Sequence, residues 1–295
     1  MEKIRPAQED ILATIQLEQM EENVFEGLSP KSDWGRIFGG QVLGQGIAAA
    51  QKTIANLNER PTHSFSSHFL RPGNPDIPIR FEVENIRDGR SFSTRHVRAT
   101  QNGKGILIMT ASFQDFEEGF EHQSTMPQVP TPEEVELSPG QIQNMLESMP
   151  EEMRKHMSRP RAIDMRFITD RDMLNPKAAD PEVDLWFRAT ETMPVPNNRA
   201  VQAAVFSYAS DMSFMDTAMV PHGSSLMDPT VHGVSLDHSV WFHDDIDMND
   251  WLLFTRESPW ARHGRGYVRG MVYNRAGLLV ASVVQECLIR KMPAK

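Results

Sequence analysis

An α+β fold of two like units in tandem, each a long antiparallel sheet wrapped around a central helix, is predicted by three features of the sequence. The same order of elements occurs twice: a helical stretch, then four extended runs rich in Val, Ile, Phe and Thr, with Gly-bearing turns between them. Aromatic spacing repeats as well, since Phe69 and Phe81 stand 12 residues apart, as do Phe242 and Phe254. Between the two occurrences, Gln123 to Pro160 carries prolines at 127, 130, 132, 139, 150 and 160 among many acidic residues, which reads as a connector.

In the first unit, Phe38 to Ile54 places Gly40, Val42, Leu43, Gly44, Ile47 and Ala48 at spacings that suit a helix lying close on a sheet. Its glycines allow another backbone to approach. Extended runs follow at Thr62 to Leu70, Ile79 to Arg87, Ser91 to Gln101 and Gly105 to Phe116. Asn102-Gly103, between the last two, is a strong hairpin signal. A short helix is expected in the connector at Pro139 to His156. The second unit opens with strands at Ala162 to Ile168 and Val183 to Thr190, then a helix over Arg199 to Met219. Its extended runs are Val234 to Phe242, Trp251 to Ser258, Gly266 to Asn274 and Leu278 to Arg290. Equal spacing sets Thr62 opposite Ser235, and a shorter last hairpin sets Gln114 opposite Gln285. The expected divisions are residues 1–125, a connector over 126–160, and residues 161–295. This pattern describes a hotdog fold in tandem.

Composition limits the function classes. With 295 residues, of which 39% are hydrophobic and 24% charged, the chain can bury two medium cores. A single cysteine, Cys287, excludes an internal disulfide, and no Cys and His stand at the spacing of a structural zinc site, which fits a reducing compartment. Even the apolar run Ile47 to Ala55 is short and interrupted by Gln51, Lys52 and Thr53, well below the roughly 18 residues that span a bilayer. Met1 to Glu9 has no apolar core of a secretory signal, and Met292-Pro293-Ala294-Lys295 lacks the Ser-Lys-Leu peroxisomal address, so the cytoplasm is expected. A net charge of −10 opposes binding to nucleic acid, whose affinity depends on neutralising phosphates.

Asp237-His238-Ser239 invites a Ser-His-Asp reading, but neighbours on a strand point to opposite faces and cannot converge. The Gly-x-Ser-x-Gly elbow is absent, and no neighbour suggests a base for Cys287. His232, His238 and His243 lack the i, i+4 spacing of helical metal ligands and read as structural or surface residues. Asp211 lies among small and apolar residues of the second helix, where a carboxylate is costly to bury without a partner; a helix cap or a solvent-facing side chain is the alternative. Gln285 interrupts an apolar strand, as a site residue or as an amide paired to backbone, and Ser235 is a strand hydroxyl.

Taken together, the segments resemble the acyl-CoA thioesterase II family from about Leu17 to Arg290. The first half carries Phe38-Gly39-Gly40-Gln41-Val42-Leu43-Gly44-Gln45, His63-Ser64-Phe65, Phe69-Leu70-Arg71-Pro72-Gly73, Arg87-Asp88-Gly89-Arg90-Ser91-Phe92 and Phe120-Glu121-His122-Gln123. The second carries Tyr208-Ala209-Ser210-Asp211, Pro221-His222-Gly223, Leu236-Asp237-His238-Ser239-Val240-Trp241-Phe242-His243, Arg265-Gly266 and Val284-Gln285-Glu286. The resemblance implies a double hotdog that hydrolyses medium- to long-chain acyl-CoA, with a water-activating set of Asp, Thr or Ser, and Gln. That set falls on Asp211, Ser235 and Gln285. His63 also matches a histidine considered for the family's chemistry and reads as structural.

Such a set suits the reaction: Asp211 takes a proton from water, while Ser235 and Gln285 hold that water toward the thioester carbonyl. No metal or organic cofactor is required. The chain's acidity would repel CoA phosphates unless basic residues such as Arg262, His263 and Arg265 receive them. Because the helix over Phe38 to Lys52 has no Asp or Glu, the first half is expected to be catalytically silent. A homo-oligomer, dimer or tetramer, is expected because hotdog sheets commonly pair. The competing readings are a hotdog enoyl-CoA hydratase and a non-catalytic acyl-CoA-binding module.

Overall fold

The computed structural model describes the chain except residues 1–4, 8, 32–34, 136–146, 148–150, 152–153, 155–157, 159, 170–174, 193–197, 227, 229 and 293–295. The helix expected at Pro139 to His156 lies almost wholly outside the described residues. Among the described residues, thirteen strands form one antiparallel sheet. The first half supplies β1 (Leu17–Glu21), β2 (Val24–Gly27), β3 (Thr62–Phe69), β4 (Ile79–Asp88), β5 (Phe92–Gln101) and β6 (Lys104–Gln114). The second supplies β7 (Ile163–Phe167), β8 (Glu182–Ala189), β9 (Val231–Ser235), β10 (Asp237–Phe242), β11 (Leu252–Arg262), β12 (Arg265–Tyr273) and β13 (Leu279–Lys291).

The order β1-β2-β4-β5-β6-β3-β10-β13-β12-β11-β8-β7 reads the same outward from its centre in both directions, with β9 attached to β13. At that centre β3 and β10 pair antiparallel, from Asp237 opposite His68 to Trp241 opposite Ser64. Two tandem hotdog units thus share one continuous sheet about a pseudo-twofold axis.

Helices α1 (Ile11–Ile15), α2 (Gly39–Gln51) and α3 (Arg199–Ser210) accompany the sheet. Packing of α2 on α3 explains the glycines of Phe38-Gly39-Gly40-Gln41-Val42-Leu43-Gly44: a Cβ at Gly40 would lie 2.2 Å from the carbonyl oxygen of Tyr208, and one at Gly44 2.8 Å from that of Ala204. The pairing of 40 with 208 and 44 with 204 makes the helices antiparallel, so the start of each meets the end of the other. Around them, Leu43, Ile47, Phe65, Phe81 and Leu107 join Val205, Phe206, Val240, Phe254 and Val272 in one apolar core drawn from both halves.

Several expectations need correction. The first half also opens with two strands; β1 buries only Leu17 of its five residues, so no buried alternation marks it. The second helix ends at Ser210, nine residues before Met219, and a 3₁₀ helix follows over Met215–His222. Between them Ser213 takes φ 56°, which breaks the α-helical path. The run Val234 to Phe242 is split at Leu236, whose N–H donates to the carbonyl of Glu286.

Gln114 does not stand opposite Gln285. Phe81 pairs with Ala99 and Ala99 with Leu107, whereas Phe254 pairs with Val272 and Val272 with Ala281. Leu107 is therefore the counterpart of Ala281, and the ladders run without a break from there, so Ala111 occupies the place of Gln285. The Asn102-Gly103 hairpin forms as expected, with φ of 49° and 73°.

Candidate active site

Three elements of the second half and one of the first converge at the carboxyl end of α3. Asp211 caps that helix, Ser235 ends β9, and Gln285 lies on the buried face of β13. Ser235 Oγ donates to Asp211 Oδ1 at 3.3 Å, and Gln285 Nε2 donates to Ser235 Oγ at 3.0 Å. The three residues chosen from the sequence are thus one hydrogen-bonded chain, although 24 and 50 positions separate Ser235 from Asp211 and Gln285.

From the first half comes the start of α2. Its cap residue Phe38 offers no side-chain acceptor, so the first N–H groups of the helix need one from elsewhere. Asp211 supplies it, accepting from the Gly40 N–H, with a carboxylate placed where the helix dipole favours negative charge. Gly39 makes room: a Cβ there would sit 2.6 Å from Asp211 Oδ2. Burial nevertheless raises the Asp211 pKa above the ordinary carboxylate range, against the opposing pull of His238, the Ser235 hydroxyl and the Gly40 N–H. A carboxylate so displaced is a better proton acceptor near neutrality than an exposed one.

His238, read from sequence as a structural or surface residue, is fully buried beside this chain. Its Nδ1 lies 2.6 Å from Gln285 Oε1 and 4.0 Å from Asp211 Oδ1, and its Nε2 lies 2.9 Å from Ser210 Oγ. Phe65 stacks on the ring at 6.3 Å between centroids, and Phe214 meets it edge-on at 5.9 Å. Burial lowers its pKa against the attraction of Asp211, which favours the neutral form of the imidazole. A signal for it existed: Val240 is a buried apolar residue two positions on, so strand alternation sends His238 to the core face. Asp237 and Ser239 face the other way, and Asp237 Oδ1 accepts the Glu286 N–H instead.

The remaining residues singled out from sequence lie elsewhere. His63 Nε2 is 2.8 Å from Ser112 Oγ, with Phe92 edge-on to its ring. Arg262, His263 and Arg265 surround the β11–β12 turn, where Arg265 pairs with Glu286 at 3.0 Å. Across the pseudo-twofold axis, at the far end of α2, Gln51 Nε2 donates to Thr62 Oγ1 at 3.1 Å beside a cavity of about 190 Å³. His63, Gln202, Phe242 and His243 also line that cavity.

Fused hotdog units with a buried carboxylate, hydroxyl and amide gathered at one helix end define a double-hotdog thioester hydrolase. Residues 158–288 match the acyl-CoA thioesterase family, and residues 29–114 match the acyl-CoA thioesterase N-terminal domain. The chain is 33% identical to acyl-CoA thioesterase 2 of Haemophilus influenzae over 281 residues, 95% of this chain and 97% of that protein. It is 33% identical to human acyl-coenzyme A thioesterase 8 over 291 residues, 96% and 89% of the two chains. The crystal structure of acyl-CoA thioesterase II TesB2 from Mycobacterium marinum superposes with a TM-score of 0.76 at 32% identity, covering 97% of this chain and 98% of that one. The chain belongs to the acyl-CoA thioesterase family.

Proposed function

We propose that the chain hydrolyses medium- to long-chain acyl-CoA to fatty acid and CoA by direct attack of water, with Asp211 as general base and Ser235 and Gln285 as its positioning partners. The observation that carries this reading is the buried Asp211–Ser235–Gln285 chain at the start of α2. Water held against Asp211 gives it a proton as its oxygen bonds to the thioester carbon. The resulting oxyanion is stabilised by amide donors, for which the start of α2 is well disposed. As the carbonyl reforms, the carbon–sulfur bond breaks and the proton on Asp211 passes to the departing CoA sulfur. Ser235 is no nucleophile here: the nearest imidazole, His238, spends its facing nitrogen on Gln285.

In this reading residues 161–295 carry the reacting groups, residues 1–125 lend the helix start, and 126–160 connect them. The protein works in the cytoplasm as a homo-oligomer, a dimer or tetramer. Supporting such association, the outer face of the central strands carries Ser64, Ser66, Ser112, Ser239 and Ser282 around the exposed Trp241 and Met271, a patch of small hydroxyls and apolar side chains on which a second sheet can lie. Sedimentation that finds only monomer at micromolar concentration would remove that part.

Rapid-quench mass spectrometry during turnover of palmitoyl-CoA tests the mechanism. The expected result is no acyl adduct on the protein; an ester on Ser235 that forms and decays at the turnover rate would overturn direct water attack.

A further inference from the structure

We propose that His238 is a positioning residue, held as the Nδ1–H tautomer by Ser210, that fixes the Gln285 amide with its NH₂ group toward Ser235. The inference rests on the hydrolytic reading above and follows from the directions that its hydrogen bonds must take. An ionised Asp211 can only accept, so the Ser235 hydroxyl donates to it at 3.3 Å. Ser235, its single proton used, accepts from Gln285 Nε2 at 3.0 Å. Gln285 then turns Oε1 toward His238, and a contact of 2.6 Å requires a proton on Nδ1. With Nδ1 protonated in a neutral ring, Nε2 is bare and accepts from the Ser210 hydroxyl at 2.9 Å.

The opposite polarity is also available to the same atoms. Ser210 Oγ lies 3.1 Å from the carbonyl of Ser207 and could send its proton there. His238 would then carry hydrogen on Nε2, Gln285 would flip, and its carbonyl would take the Ser235 proton. Ionised Asp211 would lose its hydroxyl donor. His238 and Ser210 therefore set which atoms the site presents to water. In the first half the place of His238 is taken by Phe65, by the same register that sets Thr62 opposite Ser235.

Nitrogen-15 NMR of the full-length protein labelled on histidine should show His238 protonated at Nδ1 and bare at Nε2; the reverse pattern would overturn the assignment. Two variants separate positioning from packing. His238→Leu keeps an apolar filling between Phe65 and Phe214 and removes the donor, whereas His238→Asn keeps an N–H near Nδ1 and loses packing. Turnover of palmitoyl-CoA should fall about tenfold in kcat with KM little changed for Leu, and Asn should restore most of it. Leu should add little to the loss already caused by Gln285→Ala. Full kcat in the Leu variant, or Asn as poor as Leu, would overturn the proposal; should Leu fail to fold, the NMR tautomer decides. Undiminished turnover by Asp211→Asn would instead overturn the hydrolytic reading itself.

Discussion

The two ends of the antiparallel α2–α3 pair make a comparison within one chain. At one end stand Asp211, Ser235, Gln285 and His238; at the other, Gln51, Thr62, Ala111 and Phe65. Both retain a side chain from the helix end bonded to a strand hydroxyl, at 3.3 Å for Asp211 with Ser235 and 3.1 Å for Gln51 with Thr62. At the second end an amide stands where the first has a carboxylate bonded to the hydroxyl, and the amide and imidazole behind that hydroxyl are replaced by a methyl group and a phenyl ring. The hydrogen-bonded frame is thus common to both ends, while the carboxylate and the polar residues that orient its hydroxyl partner stand at one end alone.

The largest effect expected from this difference comes from Asp211→Asn, which makes the helix end an amide like Gln51. It should lower kcat by about 10² to 10⁴, or ~3 to 5 kcal/mol, with KM for palmitoyl-CoA little changed in steady-state assays. Because burial raises the Asp211 pKa, the wild-type pH–rate profile should fall on its acidic side at a pH above the ordinary carboxylate range. The sign for stability is the reverse of an ion-paired carboxylate. The folded protein holds the Asp211 proton more tightly than the unfolded one, so stability falls as pH rises from the unfolded pKa through the folded one. Asp211→Asn should therefore raise the melting temperature near neutrality and less so at low pH; an unchanged difference across that window would contradict a buried, destabilising charge.

A smaller effect is expected from Gln285→Ala, which copies Ala111 into the Asp211 end. The base remains, so kcat should fall by about 10- to 100-fold, and combining it with Ser235→Ala should cost less than the product of the single losses. Multiplicative losses would mean that the two side chains act independently. The smallest effect on turnover belongs to Thr62→Ala. It leaves the Gln51 amide without its partner and should cost about 1 to 3 kcal/mol in denaturant melts while kcat stays intact. A loss of kcat matching that of Asp211→Asn would place the chemistry at the wrong end of the helix pair.

Much of this was legible before folding. Alternation of Val, Ile, Phe and Thr marked ten of the strand regions, Asn102-Gly103 marked its turn, and the closely spaced glycines of α2 marked a helix approached by another backbone. Family motifs carried Asp211, Ser235 and Gln285. These signals are local, because strand and helix periods and turn preferences depend on a residue and its near neighbours in the chain.

Three matters were decided only by the tertiary structure. Gln114 looked like the counterpart of Gln285 from hairpin length, but ladder register, which depends on partners in other strands, put Ala111 there. The β1–β2 hairpin was invisible because four of the five residues of β1 are exposed, and pairing with β4 through β2 holds it in place. His238 meets Gln285 from 47 positions away, and Asp211 accepts the Gly40 N–H from the other half of the chain. Neither can be seen in a local window, since a hydrogen bond between distant residues exists only after packing has brought donor and acceptor within about 3 Å and excluded the water that would otherwise satisfy both.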